Sequence, residues 1–169
     1  MTPRSQAMAE PELLLLRHGI AEERDPHLPD AQRALTAAGR LRTAAVLERL
    51  VQFNIPCDQL YSSPLLRARQ TAELAVAAGL APDLQLSEAL VPEGDPWPLL
   101  RWPDGVRRLA LVGHEPDLGD LAAALIGAPP AALVLKKAGM ALLQITAVSP
   151  RPRARLRLLL GPAQLLAGS

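Results

Sequence analysis

With 169 residues, 49% of them hydrophobic and 21% charged, the chain has the length and composition of one globular domain with its own apolar core, which argues against extensive disorder. A formal net charge of +1 and an aromatic content of 2% exclude the basic field and the stacking platforms of a nucleic-acid binder. The single cysteine, Cys57, excludes an intrachain disulfide and a cysteine-rich metal cluster, and it fits a reducing compartment.

Residues 1–12 are polar and proline-containing, without the apolar core of a signal peptide, and read as a flexible leader before a domain over residues 13–169. The longest apolar runs, such as Leu13 to Leu16 and Leu121 to Ile126, fall far short of the roughly 20 residues that span a bilayer. The expectation is a soluble, cytoplasmic protein with no membrane partner.

Leu13 to Leu16, closed by Arg17, His18 and Gly19, reads as a central strand buried on both faces and ending in a loop. After a polar loop with Asp25, Pro26, Pro29 and Asp30, Thr36 is placed to cap a helix running to about Val51. Cys57 to Tyr61 reads as a second short strand. Ser62 and Ser63 offer a capping hydroxyl, and Pro64 an N1-type proline, for a helix reaching about Ala78.

From Gly79 to Pro103, five prolines and two tryptophans predict an irregular segment with at most a short strand or helix, the best candidate for a lid. Leu109 to Val112 is another buried-type strand, and Pro116 and Asp117 open a helix ending near Gly127. Val134 to Leu135 and Ala141 to Thr146 read as further strands, and Arg153 to Leu160 alternates basic and apolar residues as a half-exposed strand does. The alternation of strands and helices predicts a single-domain, three-layer α/β/α sandwich with a mostly parallel central sheet.

Strand ends converge in such a fold, so Arg17, His18, Arg67 and His114 are expected around one pocket. Arginine offers a planar fork of donors for phosphate oxygens, and a helix N-terminus near Ser63 adds backbone donors. A neutral imidazole can attack phosphorus in line while the arginines and the second histidine stabilise the equatorial oxygens. That step requires no metal or other cofactor.

Leu14-Leu15-Leu16-Arg17-His18-Gly19 resembles the strand and Arg-His-Gly signature of the histidine phosphatase superfamily. The run from Ser62 to Ala72 resembles that family's Ser-Pro-x-x-Arg-x-x-Gln-Thr-Ala helix start, and Val112 to Pro116 its second-histidine turn. The segments from Arg33 to Gly39 and from Glu88 to Gly94 look most like the SixA branch, the phosphohistidine phosphatases.

This resemblance implies the phosphoglycerate mutase-like fold, His18 as nucleophile, Arg17 and Arg67 as phosphate clamps, His114 as transition-state donor and Arg33 as a substrate contact. Other members carry an acidic proton donor; Glu88 is the first candidate here, followed by Glu115, Glu22 and Asp25. An imidazole leaving from a phosphohistidine needs less protonation than an alkoxide, so a weak acid favours phosphoramidate substrates.

The expected activity is metal-independent phosphoryl hydrolysis through a phosphohistidine on His18, with a phosphorylated protein as partner. Two alternatives stand beside it: a small-molecule phosphomonoesterase of the same superfamily, and a noncatalytic module that binds phosphoproteins. The remaining features have plainer readings: His27 as a solvated loop residue, Arg69 as helix decoration, and Arg151, Arg153, Arg155 and Arg157 as a solvated strand face or a protected edge. Trp97 and Trp102 either roof the pocket or are tucked under a loop.

Overall fold

Four consecutive leucines can be buried together only in a strand covered on both sides, and Leu13 to Leu16 are fully buried in β1 (Glu12–Arg17). A computed structural model describes residues 10–168 of the chain. Its other strands are β2 (Gln59–Ser62), β3 (Gln85–Leu86), β4 (Arg108–Gly113), β5 (Met140–Ala147) and β6 (Arg153–Leu160), in the sheet order β3-β2-β4-β1-β5-β6. Neighbours among β1 to β4 pair in parallel, whereas β5 is antiparallel to both β1 and β6. The mostly parallel sheet expected from the sequence is therefore present.

Alternate residues of β1 feed two separate cores. Leu14 and Leu16 pack with Val46, Leu47 and Leu50 of α1 (Ala37–Gln52) and Ala68, Ala72 and Ala75 of α2 (Leu66–Ala77). On the opposite face Leu13 and Leu15 pack with Leu118, Leu121 and Leu125 of α3 (Asp117–Ile126). A final turn, α4 (Pro162–Leu165), places Leu165 in the first core.

Local chemistry explains the helix ends. Thr36 caps α1 through its side chain, which accepts the Gly39 N–H at 2.8 Å. At the end of α3, Gly127 adopts a left-handed φ of 76°, where a residue without Cβ is unstrained. Cys57 fills core space, and burial pushes its thiol up to about 12, so it stays protonated.

Several sequence expectations need correction. α2 starts at Leu66, later than Ser63 and Pro64 predicted; the Ser63 hydroxyl accepts the Leu65 N–H ahead of the helix and also contacts His114. Val134 to Leu135 is not a strand; Leu135 is buried in the α3-side core, and its carbonyl is held by the Arg17 side chain. Of the leader expected over residues 1–12, residues 1–9 lie outside the described residues. Glu12 already belongs to β1, where its carboxylate is bound by Arg108.

The Gly79 to Pro103 segment contains β3 and two short 3-10 turns, Glu88–Leu90 and Trp97–Leu100. It is pinned down by the buried side chains of Leu90 and Leu100. Trp97 and Trp102 are tucked against the α3-side core; Arg151 lies over the Trp97 ring at 5.1 Å, and Trp102 Nε1 donates to the Val106 carbonyl at 2.7 Å. β6 is the sheet edge, as the alternation of arginines foretold.

Candidate active site

β1 and β4 are adjacent and parallel, with Arg17 in register with Gly113, so the loops leaving both strands emerge side by side. His18 and His114 are the first residues beyond those strands, and their ring centroids lie 5.2 Å apart at an interplanar angle of 55°. Both are buried.

The backbone sets the tautomer of His18. Its Nδ1 lies 2.7 Å from the Gly19 carbonyl, which can only accept, so Nδ1 carries the proton and Nε2 presents a lone pair. Burial is the largest influence on this ring. With the charges of Arg67 and Arg17 and the proximity of His114, it outweighs the Gly19 carbonyl and brings the pKa down to about 3. A buried imidazole at physiological pH is therefore a neutral, nucleophilic nitrogen.

His114 is lowered to about 4, again first by burial, with Arg67 adding to the effect and Asp30 opposing it. Its Nε2 lies 2.8 Å from Ser63 Oγ, which also accepts the Leu65 N–H at 3.2 Å. With the Ser63 proton given to Nε2, the neutral ring carries its hydrogen on Nδ1, a buried atom with no protein partner.

Two guanidiniums complete the cluster. Arg17 donates to the Leu135 carbonyl at 2.9 Å, and its buried Nε has no partner. Arg67 comes from the first turn of α2 and is almost wholly buried. It donates to the Asp30 carbonyl at 2.9 Å and to the Asp30 carboxylate at 3.0 Å, while its Nε is likewise unpartnered. Arg69, two residues on, points to solvent and pairs with Glu73.

Unpaired buried donors are costly unless something accepts from them. Three occur here, on Arg17, Arg67 and His114. The guanidinium groups of Arg17 and Arg67 and the His18 lone pair suit a tetrahedral oxyanion facing a nucleophile.

Helix α2 is tied to this loop by the residues after Arg67. Thr71 Oγ1 accepts the Gly19 N–H at 3.0 Å and donates to the Arg67 carbonyl at 2.8 Å; Gln70 accepts the Leu35 N–H at 2.8 Å. Gly19 itself has no room for a side chain, because a Cβ would lie 2.1 Å from Thr43 Oγ1.

Asp30 was read from the sequence only as a loop residue, yet it is the local counter-ion. Its carboxylate contacts Arg67 at 3.0 Å, Arg33 at 3.1 Å and Arg24 at 3.7 Å. Burial alone would raise its pKa, but the three guanidiniums outweigh that and hold it below the ordinary carboxylate range. Arg33 reaches the cluster through this carboxylate and also donates to the Glu22 carbonyl at 3.1 Å. No sequence signal distinguished Asp30 from an ordinary loop residue, whereas Ser63 stood in the Ser-Pro-x-x-Arg run without its contact to His114 being legible.

The candidate acids fall in different places. Glu88 is exposed in the turn after β3, next to Ser87, whose N–H donates to the Ser62 carbonyl at 2.9 Å. Glu115 caps α3 by accepting the Gly119 N–H at 2.8 Å; burial raises its carboxyl despite that bond, the Leu135 N–H and Arg17. Glu22, Asp25 and His27 are exposed, and His27 N–H donates to Asp25 at 2.8 Å. Among the described residues no group of three His, Cys, Asp or Glu side chains is arranged to hold a metal ion, and no helix is long and apolar enough to cross a membrane.

Comparison with known proteins gives concordant results. The model of the histidine phosphatase superfamily (branch 1) matches residues 13–91. An uncharacterised protein of Picosynechococcus sp. is 44% identical over 137 residues, covering 76% of this chain and 82% of its own length. Among solved structures, a protein histidine phosphatase SixA complexed with tungstate aligns with a TM-score of 0.78 at 23% identity, covering 91% of this chain and 99% of that one. SixA from Agrobacterium tumefaciens aligns with a TM-score of 0.75 at 24% identity, covering 92% and 99%. The fold is common to all three chains.

Proposed function

The chain belongs to the histidine phosphatase superfamily, and from that premise we propose that it is a protein phosphohistidine phosphatase of the SixA type. The observation that carries this reading is the fixed tautomer of His18, whose buried ring lies 5.2 Å from that of His114 and feels the guanidinium charges of Arg67 and Arg17.

In the proposed reaction His18 Nε2 attacks phosphorus, and the bond from phosphorus to the substrate nitrogen breaks, the substrate imidazole leaving neutral with the proton already on its other ring nitrogen. Arg17 and Arg67 hold the nonbridging oxygens, and His114 donates to the charge that builds on them. The phosphorylated His18 ring is cationic with Nδ1 still protonated, and the Gly19 carbonyl 2.7 Å away stabilises that form. Water then attacks the same phosphorus, the bond to Nε2 breaks, and phosphate leaves with the ring neutral again.

Glu88 is the proposed proton donor where an ester oxygen leaves, and its exposed position suits occasional rather than obligatory use. Arg33 is the proposed contact to the substrate body. The reading is supported by the tungstate complex of the structurally similar SixA, since tungstate is a tetrahedral oxyanion like phosphate. A phosphorylated cytoplasmic protein is the proposed partner, and no step calls on a metal ion.

Phosphate release tests the proposal directly. The wild-type protein is expected to dephosphorylate a phosphohistidine protein in the presence of a strong chelator, and His18→Ala to lose that activity while keeping its fold by circular dichroism. Retained turnover in His18→Ala would remove the mechanism. Release from a generic aryl phosphate at equal efficiency would move the assignment to a broader phosphomonoesterase, and release restored only by added zinc would overturn metal independence.

A further inference from the structure

Beside Arg17 the surface opens into a groove of 590 Å³ whose lining includes Arg17, Ile20, Arg42, Lys136, Lys137 and Pro162, and no carboxylate. We propose that this groove docks an acidic, partly apolar segment of the protein substrate flanking its phosphorylated residue. The proposal rests on the phosphatase reading for the identity of that substrate.

Charge is the first argument. The chain as a whole is almost neutral, at +1, yet four cations gather here. Arg42, Lys136 and Lys137 are exposed and take part in no ion pair among the described residues. A local field of one sign beside a reacting centre attracts and orients a partner of the other sign.

Position is the second argument. The wall of the groove runs on from Lys137 into a segment hydrogen-bonded to the backbone of the nucleophile loop: the Ala138 N–H donates to the His18 carbonyl at 3.0 Å, and the Arg17 N–H to the Gly139 carbonyl at 3.1 Å. Lys136 and Lys137 immediately precede that segment, so a chain lying across them leads to His18.

The lining decides between a polypeptide and a small ligand with a second phosphate. A compact phosphate wants donors fixed in a converging geometry. Here the lysines are exposed and unanchored, and Ile20 and Pro162 contribute an apolar floor. Flexible ammonium groups over an apolar floor suit carboxylates spaced along a peptide that also buries aliphatic side chains.

Backbone amide shifts of Lys136, Lys137, Gly161 and Gln164 provide the test, with a short unphosphorylated peptide alternating Glu and Leu, its Gln counterpart, and pyrophosphate as probes. The Glu peptide is expected to move these signals at low salt, and its Gln counterpart to leave them in place. Replacing Arg42, Lys136 and Lys137 together by Gln should weaken Glu-peptide binding about tenfold, an effect that shrinks as salt is added.

No shift with the Glu peptide, equal binding to the triple variant, or groove shifts produced by pyrophosphate and not by the peptide would each overturn the proposal. The phosphatase reading is scored separately, on phosphate release from free phosphohistidine, which engages only the His18 pocket. A wild-type protein that binds the peptide but releases no phosphate would lose the phosphatase reading and keep the docking surface. Turnover without peptide binding would do the reverse.

Discussion

At the scale of single residues, Asp30 decides how strongly the pocket attracts an oxyanion. Its carboxylate occupies one Arg67 donor, its backbone carbonyl occupies a second, and the carboxylate shares its charge with Arg33 and Arg24. An incoming phosphate meets a guanidinium already partly neutralised. Asp30→Asn keeps the side-chain shape and the backbone carbonyl that Arg67 uses, and removes the competing charge. Phosphate inhibition of the variant should tighten by roughly threefold to tenfold, with the melting temperature changed little because the pair is partly exposed to solvent. Weaker inhibition would instead make Asp30 a residue that positions Arg67. Nothing in the sequence marked this role: Asp30 lies 37 residues from Arg67, and only the folded path of the loop brings them together. Arg17, His18 and His114 were legible because each follows a buried apolar run, a pattern that places chemistry at a strand end.

At the scale of elements, the site is a junction of β1, α1 and α2, and Gly19 sits in it with side chains packed against its Cα. A Cβ on Gly19 would lie 2.1 Å from the Thr43 hydroxyl of α1 and 3.3 Å from a Leu35 methyl. The Gly19 N–H is meanwhile held by Thr71 of α2. Gly19→Ala should therefore destabilise the fold by about 1–3 kcal/mol, as overpacking a filled core does. Thr43→Ala in the same chain, which removes the hydroxyl in the way, should recover part of that loss in urea denaturation. Absence of recovery would show that the strain lies in the β1–α2 contact instead. The elements themselves were readable where a cap or a period fixed them, as with Thr36 and α1. They were misread where a tertiary bond added to or overrode local pattern: Ser63 accepts the Leu65 N–H but also holds His114, and Val134 to Leu135 looked like a strand but presents a carbonyl to Arg17.

For the molecule as a whole, keeping two imidazoles buried and neutral makes stability depend on pH. In an unfolded chain each titrates near ~6.5, whereas in the fold His18 is pushed down to about 3 and His114 to about 4. Between those limits the unfolded state binds protons that the folded state refuses, so stability is full above the unfolded value and falls as the solution is acidified. Asp30, held low by its guanidiniums, acts in the same direction once its own unfolded range is reached. Glu115 acts the other way, since its raised carboxyl takes up a proton more readily in the fold. Two imidazoles against one carboxyl leave a net loss. The urea midpoint should be lower at about pH 5.5 than at about pH 7.5, with the slope of the transition unchanged. Replacing both histidines by Gln should flatten that dependence, because the groups that resist protonation are then gone. A wild-type midpoint that does not move between the two conditions would mean that the rings charge freely in the fold. In that case the neutral His18 lone pair on which the mechanism depends would be lost at mildly acidic pH.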